Sequence, residues 1–363
     1  MPGQLPADLF GRRDQDRAVR VLDAVASARL RWTTIINRRD LSPRADDHRL
    51  PLVVTGRRIE AHDQDVVSLR LESPDAQELP PWRPGAHLDL ELPSGRLRQY
   101  SLCGDPADSR AYRIAVRRIP DGGGGSVEVH DELPVGSRIV VRGPRNAFPF
   151  AVPGHGSPAT RLHFIAGGIG ITPILPMARL AMRLGIEWSM VYTGRSRDTI
   201  PFLDEIAGFG DRATVRTDDE FGFPDAATLL AGVTSDAAVY CCGPVSMNAA
   251  VAAAVREMPG VELHSERFSP PPIVDGVRFE IEFASTGAVV EVPADKSALE
   301  TILESRPDRP YSCRQGFCRT CKVRVLSGEP EHRETVLTGA EHEAGEMLVC
   351  VSRSRGGRLV LDL

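Results

Sequence analysis

Nowhere does the 363-residue chain contain an uncharged apolar run of about 18 residues, the length a helix needs to cross a bilayer, so no membrane span is expected. The first residues lack an apolar signal core too, because Arg12, Arg13, Asp14, Asp16 and Arg17 interrupt it. Charge of one sign is not in excess: the formal net charge is −5, which gives no global reason to expect a nucleic acid partner. Internal repeats with periods of about 20 to 50 residues are absent, which excludes solenoids and propellers. Cysteine is scarce, seven in all, yet four lie beyond residue 312. Such clustering, in a chain expected in the cytoplasm, favours metal ligation over disulfides.

What is present, 42% hydrophobic and 26% charged residues, is the composition of a globular protein, and the length exceeds one ordinary core. Three domains are expected. Residues 1–48 are Arg-rich, and Val19, Leu22, Val25, Ala26 and Leu30 recur at helical spacing, predicting an amphipathic N-terminal helical extension. Over residues 49–153 the pattern changes to short alternating runs between Pro and Gly turns, among them Val66-Val67-Ser68-Leu69-Arg70-Leu71, His87-Leu88-Asp89-Leu90-Glu91-Leu92 and Arg138-Ile139-Val140-Val141, which predicts a small antiparallel β-barrel. In residues 154–268 an apolar strand at 162–166 runs through a Gly-rich turn into a helix at about 171–184. Strands near 188–192 and 237–241 and a helix after Pro244 continue the alternation, predicting an α/β domain with a parallel sheet. Ser269-Pro270-Pro271-Pro272 opens a stiff linker over 269–276, and residues 277–363 read as a third module with strands, a helix near 297–305 and a cysteine loop.

Cys313, Cys318, Cys321 and Cys350 are separated by four, two and 28 residues, the plant-type arrangement for a [2Fe-2S] cluster. Two ferric ions bridged by two sulfides require four thiolates; a tight loop wraps three of them around one side and a distant strand delivers the fourth. Gly316 lets that loop's backbone approach the sulfides. A structural zinc site or reduced core cysteines are the alternatives, but zinc ligands usually come as two similar C-x2-C knuckles, and one half here is a single cysteine after a long gap.

Ala166-Gly167-Gly168-Ile169-Gly170-Ile171-Thr172-Pro173 is a glycine turn from strand to helix. Glycines there admit a pyrophosphate, and the helix start offers amide hydrogens and a positive dipole end, although the same turn also serves plain chain reversal. Val239-Tyr240-Cys241-Cys242-Gly243-Pro244 forms a second such turn, at the edge where open parallel sheets bind ligands. Cys241 reads as a small buried residue and Cys242, at the strand tip, as the functional candidate.

In the barrel region, Trp82-Arg83-Pro84-Gly85-Ala86-His87 is followed by Arg98-Gln99-Tyr100-Ser101-Leu102, which offers a phosphate ligand, a ring to stack and a hydroxyl for a ring heteroatom. An edge strand alternating Arg and Tyr for solubility looks the same. The order R-x-Y-S-L, then G-G-x-G-x-T-P, then C-G-P, then a C-terminal ferredoxin loop resembles the phthalate dioxygenase reductase family over about residues 50–363. The resemblance implies an FMN-binding barrel, an NADH-binding α/β domain and a β-grasp ferredoxin domain in that order, feeding electrons to a Rieske-type oxygenase. It implies that Arg98, followed by Gln99, contacts the FMN phosphate, that Tyr100 and Ser101 contact the isoalloxazine, that Ala115-Val116-Arg117 runs along the flavin, and that Gly124-Gly125-Ser126 closes over the phosphate. By itself the glycine run at 122–125 reads as a flexible hairpin turn. Thr172 and Phe268 are expected near the flavin ring, and Gly167, Gly168, Ile169, Gly170, Pro173, Arg195, Cys242, Gly243 and Pro244 around the nucleotide. One departure stands out: Thr193-Gly194-Arg195-Ser196-Arg197 carries two arginines and no acid at the strand tip. An acid there favours NADH and arginines accept a 2'-phosphate, so NADH is expected from the family with NADPH as the second candidate.

NADH delivers a hydride while an iron-sulfur cluster takes one electron at a time, so a flavin between them is required. No proton-transferring side chain is needed, and His264 reads as a packed or surface residue. Arg314 and Arg319, beside the cluster loop, are candidates to meet acidic groups on a transient partner. A cytoplasmic monomer is expected. A reductase for a cytochrome P450 needs the same modules, and a cluster-based redox sensor is the reading from another class, against which two complete upstream cofactor sites argue.

Overall fold

Leu52 and Val54, Leu69 and Leu71, Leu88 and Leu90, and Ile139 and Val141 each stand two residues apart, the period that sets side chains on one face of a strand. In the computed structural model, which describes residues 49–62, 66–120, 124–154, 156–268, 273–307, 309–311, 314–316, 319–334 and 336–363, these pairs share one interior. The expected helix in residues 1–48, the proline run at 269–272, Gly122, Gly123, Cys313 and Cys318 lie outside the described residues.

Six antiparallel strands, β1 (Arg49–Ala61), β2 (Val66–Glu72), β3 (Ala86–Glu91), β4 (Leu97–Ser101), β5 (Ala111–Arg117) and β6 (Arg138–Asn146), form a sheet of order β4-β3-β6-β1-β2-β5. Its two edges meet where Leu102 bridges Ile114 and the Cys103 amide donates to the Arg113 carbonyl at 2.8 Å. The sheet thereby curls into a barrel and leaves little unpaired edge. Helix α1 (Gly125–Glu132) contributes Val129 to the barrel core.

A second sheet is wholly parallel: β7 (Arg161–Gly167), β8 (Glu187–Gly194), β9 (Ala213–Thr217), β10 (Ala237–Cys242) and β11 (Glu262–Glu266), in the order β11-β10-β7-β8-β9. The chain travels outward from β7 to β9 and then returns to the other side of β7, so the winding reverses between β7 and β10. A crevice opens at such a reversal. Helix α2 (Ile171–Arg183) packs Ile174, Leu175 and Ala178 into a cluster that takes Phe164 and Met190 from this sheet and Cys103, Ala115 and Phe148 from the barrel. One apolar helix face thus joins two lobes, each buried large side chain contributing about 1.5–3 kcal/mol. At the rim of that joint, Glu205 receives two hydrogen bonds from Arg113, at 2.8 and 3.2 Å, and pairs with Arg179. Helix α3 (Val245–Arg256) follows β10.

In the third lobe, β12 (Phe279–Phe283), β13 (Val289–Val292), β14 (Lys322–Ser327), β16 (Glu346–Leu348) and β18 (Arg358–Leu361) form a mixed sheet of order β13-β12-β18-β14-β16, parallel only between β12 and β18. A short ribbon pairs β15 (Pro330–Glu331) with β17 (Arg353–Ser354). Helix α4 (Ala298–Ser305) starts at a capping box of Ser297 and Glu300 and packs Leu299 and Ile302 on the sheet. This is a β-grasp arrangement. The barrel, α/β and ferredoxin-like lobes stand in the order expected from the sequence. No helix among the described residues is long and apolar enough to cross a membrane.

An arginine sits at the centre of the third lobe. Arg353 is 1% exposed, donates to the carbonyls of Lys296, Val277 and Pro293 at 2.5, 3.0 and 3.0 Å, and lies over the Phe279 ring. Replacing it by Met leaves those carbonyls without their donor, at about 1–3 kcal/mol for each one left unsatisfied. Arg353→Met is therefore expected to lower the temperature at which this lobe melts by well over 5 °C, about 4–8 °C accompanying each kcal/mol in a domain of this size. Circular dichroism of the variant against the unaltered chain checks this.

Candidate functional site

The two glycine turns meet backbone to backbone where the sheet reverses. A Cβ on Gly170 would stand 2.2 Å from the Cys242 carbonyl oxygen, one on Gly167 2.6 Å from Cδ of Pro244, and one on Gly243 3.1 Å from Cα of Gly167. These three glycines are demanded by the approach of one turn to the other. Gly168 differs: open space surrounds its missing Cβ, and its φ of +53° is what favours glycine. From behind, the Tyr192 hydroxyl reaches the carbonyls of Gly168 and Pro201 at 3.1 and 3.0 Å and steadies the turn.

A cleft of about 440 Å³ results, walled by Gly167, Gly168, Ile169, Gly170, Gly243 and Pro244 and rimmed by Arg195, Asp218, Phe268 and, from the barrel, Arg117. Thr172 and Pro173 do not line it. Both are buried in the first turn of α2, where the Thr172 hydroxyl donates to the Ile169 carbonyl at 2.9 Å. The Cys242 side chain is 1% exposed and packs into the core, so its carbonyl borders the turn while its thiol does not. Burial, reinforced by Glu266 and Cys241, pushes that thiol well above its usual range, and burial alone pushes the Glu266 carboxyl up to about 8. Cys241 is buried as expected, its thiol 3.2 Å from Asn248 Oδ1.

Electrostatics at the rim favour an anion. The Arg117 guanidinium is held below its usual range by burial and by the like charge of Arg195, and its Nε is buried with no partner among the described residues. Arg197 is engaged elsewhere, donating to Glu220 at 2.6 and 3.3 Å. The acid missing from the tip of β8 comes instead from the neighbouring strand: Asp218 directly follows β9 and lines the cleft, its carboxyl pushed up by burial and by Asp219. Sheet order alone brings Asp218 beside Arg195. The T-D-D sequence after a strand was the signal for it.

On the barrel, strand alternation divides the R-Q-Y-S run. Arg98 and Tyr100 lie opposite Leu90 and Leu88, and Tyr100 packs on the barrel core, where burial raises its phenol pKa. Gln99 faces the other way and donates to Asp89 at 2.9 Å, and Ser101 is buried. Arg98 lies against Gly125, where a Cβ would stand 2.4 Å from its Nε. Gly124, at φ +79°, begins α1 with no side-chain cap, and Arg96 flanks it. The described end of the glycine run therefore opens a helix and not a hairpin, setting uncapped amides beside arginine, the make-up of a phosphate cradle. Ser126 Oγ accepts the Ile119 amide at 3.0 Å. Of the next three candidates, Ala115 joins the interlobe cluster, Val116 points into the barrel core away from the cleft, and Arg117 reaches the rim.

At the far end, Cys321 immediately precedes β14 and Cys350 follows β16, and the Lys322↔Leu348 register sets both at one end of the strand pair, each 5% exposed. The loop before them has positive φ at Arg314, Gly316 and Arg319, which turns its backbone tightly at those described residues. Gly316 is also pressed by Val351, whose Cγ2 would lie 2.7 Å from a Cβ there. Gln315, between Cys313 and Cys318 in sequence, donates to the Arg267 carbonyl, and the next residue, Phe268, is 48% exposed at the rim of the cleft. The cysteine loop and the cleft are thus joined at 267–268. Arg319 is tied to Glu341 at 2.9 Å and to the Val336 carbonyl, and Arg314 lies over the Tyr311 ring at 4.5 Å. His264 stacks on Tyr240 with ring centres 4.5 Å apart, outside the cleft.

Residues 51–150 match the oxidoreductase FAD-binding domain family and residues 281–355 the 2Fe-2S iron-sulfur cluster binding domain. The solved structure of a phthalate dioxygenase reductase, described as modular for electron transfer from pyridine nucleotides to [2Fe-2S], superposes with a TM-score of 0.66 at 32% identity, over 88% of this chain and 99% of that one. The chain belongs to the phthalate dioxygenase reductase family. Another relative, phenoxybenzoate dioxygenase subunit beta of Ectopseudomonas oleovorans, is 39% identical over 304 residues, 82% of this chain and 93% of that one. The full-length CYP116B46 of Tepidiphilus thermophilus also matches, with a TM-score of 0.64 and 39% identity over 88% of this chain, which spans 43% of that protein.

As a phthalate dioxygenase reductase family member, the chain is an NAD(P)H-dependent flavin iron-sulfur oxidoreductase, and its cofactors are a flavin, a [2Fe-2S] cluster and NADH. The uncapped helix start beside Arg98, the backbone-walled cleft and the paired buried cysteines fit these groups. Gly170→Ala forces a methyl into the Cys242 carbonyl. We expect NADH to bind at least tenfold more weakly, about 1.4 kcal/mol, with flavin and cluster absorbance unchanged, as measured by anaerobic titration of the holoprotein.

Proposed function

We propose that this chain is the NADH-dependent reductase component of a multicomponent oxygenase and that its acceptor is a Rieske-type oxygenase. The observation that carries this reading is the bond from Gln315, in the cysteine loop, to Arg267, beside the rim residue Phe268, since it holds the cluster-bearing loop against the nucleotide cleft. A flavin held here, which we take to be FMN, would supply the conversion between the two-electron chemistry of NADH and the one-electron chemistry of the cluster.

The residues act by holding and orienting. Arg98 and the amides of Gly124 and Gly125 take the flavin phosphate, Tyr100 and Ala115 border the ring, and Phe268 covers it from the cleft side. Arg117 and Arg195 neutralise the nucleotide's pyrophosphate, against the walls formed by Gly167, Gly168, Gly170 and Gly243. Asp218 accepts from the ribose 2'-hydroxyl, which would repel a 2'-phosphate, so the two-arginine departure is compatible with NADH. Cys313, Cys318, Cys321 and Cys350 ligate the cluster. Domain limits of 49–153, 154–268 and 277–363, with a linker at 269–276, follow from the same reading, as do a monomeric state and the cytoplasm, where thiolates remain available for iron.

A second reading has one observation in its favour. A solved structure of an intact type IV self-sufficient cytochrome P450 monooxygenase is 36% identical over 87% of this chain, which covers 41% of that protein, and this supports a P450 as the alternative acceptor. Reconstitution with a Rieske oxygenase and with a P450 separates the two by the acceptor reduced faster.

Cys318→Ser is expected to remove the cluster bands and cytochrome c reduction while NADH still bleaches the flavin in stopped flow; loss of flavin reduction as well would contradict separate electron-carrying modules. Asp218→Asn is expected to lower kcat/KM for NADH about tenfold, the worth of roughly 1.4 kcal/mol, and to leave NADPH turnover level or improved. An unchanged NADH to NADPH ratio would place coenzyme selection elsewhere.

A further inference from the structure

Away from the cleft, the segment after β15 and the short helix at Gly339–Glu343 bring two imidazoles and a carboxylate together. His332 Nδ1 lies 2.8 Å from Glu334 Oε1, and His342 Nε2 lies 3.0 Å from that same oxygen. The rings stack with centres 3.8 Å apart and planes 19° from parallel, and the three donor atoms lie within 4.8 Å of one another. The Glu334 side chain is wholly buried, whereas those of His332 and His342 are 21% and 31% exposed. Electron transfer as described requires none of these side chains.

The chemistry of the trio is that of a divalent transition-metal site. Two imidazole nitrogens and one carboxylate oxygen make a donor set that suits zinc, with a further position left for water. The remaining carboxylate oxygen, Oε2, accepts from the Ser352 hydroxyl, the outer hydrogen bond that orients a ligating carboxylate. Bonds of about 2.0–2.2 Å to a tetrahedral ion place neighbouring donors about 3.3 Å apart. The observed 2.8 and 3.0 Å need to open by only a few tenths of an ångström, as the ion replaces the hydrogens now shared between the rings and Oε1. The part-exposed imidazole side chains supply the entry path, and the buried carboxylate supplies an oxygen ligand.

We propose that His332, Glu334 and His342 form a binding site for one zinc-class divalent cation, with Ser352 orienting the carboxylate. None of these residues is one of the cysteines read as cluster ligands, and the trio adjoins the described part of the cysteine loop: a Cβ on Gly316 would lie 3.6 Å from Glu334 Cβ.

The test uses the full holoprotein with flavin and cluster intact by visible absorbance, freed of loose metal, and equilibrium dialysis against Zn²⁺ with metal analysis. The unaltered chain should retain one zinc beyond its iron. His342→Ala should weaken that binding by at least a hundredfold, and Ser352→Ala by about 10–100-fold, the usual effect of losing an outer-shell partner. Where His342→Ala does not accumulate, His342→Gln keeps a polar side chain facing Glu334 and should give the same loss of affinity. Zinc K-edge absorption should show nitrogen and oxygen neighbours, imidazole among them, and no sulfur. Equal zinc retention by the unaltered chain and the His342 variants overturns the proposal, as does sulfur around the zinc, which would mean occupation of cysteines. Because cluster and flavin are counted separately, failure here is distinguishable from failure of the electron-transfer reading.

Discussion

The contact of the Gly170 turn with the Cys242 carbonyl is the constraint on which the nucleotide end of the molecule depends. β7 and β10 are hydrogen-bonded neighbours, and both deliver the chain to the same edge before turning into helices. Two turns leaving adjacent strands have only one strand spacing, about 4.8 Å, between them. Side chains there would fill the space that a ligand needs. The walls are consequently backbone, which supplies amides and a helix start but little power to tell one nucleotide from another. Side-chain chemistry is concentrated at the rim, where Arg117, Arg195, Asp218 and Phe268 arrive from four different segments.

That rim is also where uncompensated charge collects. Burial and the like charge of Arg195 hold the Arg117 guanidinium below its usual range, and burial leaves the Arg117 Nε without a partner among the described residues. The net charge of −5 makes this excess a local one, and an anion bound there would relieve it. The barrel must be held firmly for Arg117 to remain in place, since hydride transfer requires reacting atoms at about 3–3.5 Å. The cluster around α2 does so through apolar contact, and Glu205 adds a partly buried carboxylate facing Arg113 and Arg179. The polar clasp specifies orientation, and the apolar face carries most of the free energy.

Periodicity made the elements legible in the sequence: the strands at 66–72, 161–167 and 237–242, and the helices after Gly170 and Pro244, follow from period-two and period-3.6 patterns. Facing direction was less legible. Val116 sits in a strand buried on both faces and Gln99 in one that is half-buried on both, so apolar alternation does not say which neighbour reaches the cleft. Thr172 and Cys242 lie inside motifs whose glycines line the cleft, yet their own side chains pack inward. Asp218 depended on sheet order, because β9 is five residues long and has no continuous apolar run to announce it. The buried Arg353 was hidden by its type, since arginine reads as solvated until the three carbonyls around it are known.

Arg319 shows how such hidden pairing alters an argument about recognition. Two arginines beside a cluster loop read as a positive lure for an acidic partner, but Glu341, 22 residues onward, holds Arg319 in a bidentate pair, and the Val336 carbonyl takes a further bond. A charge neutralised at about 3 Å contributes little field beyond a Debye length of about 8 Å. Arg314 lies over Tyr311, its Cζ 4.5 Å from the ring centre, which presents the guanidinium together with an aromatic face. The charge available at this edge for long-range steering is therefore smaller than the sequence implies, because Arg319 is paired within the chain.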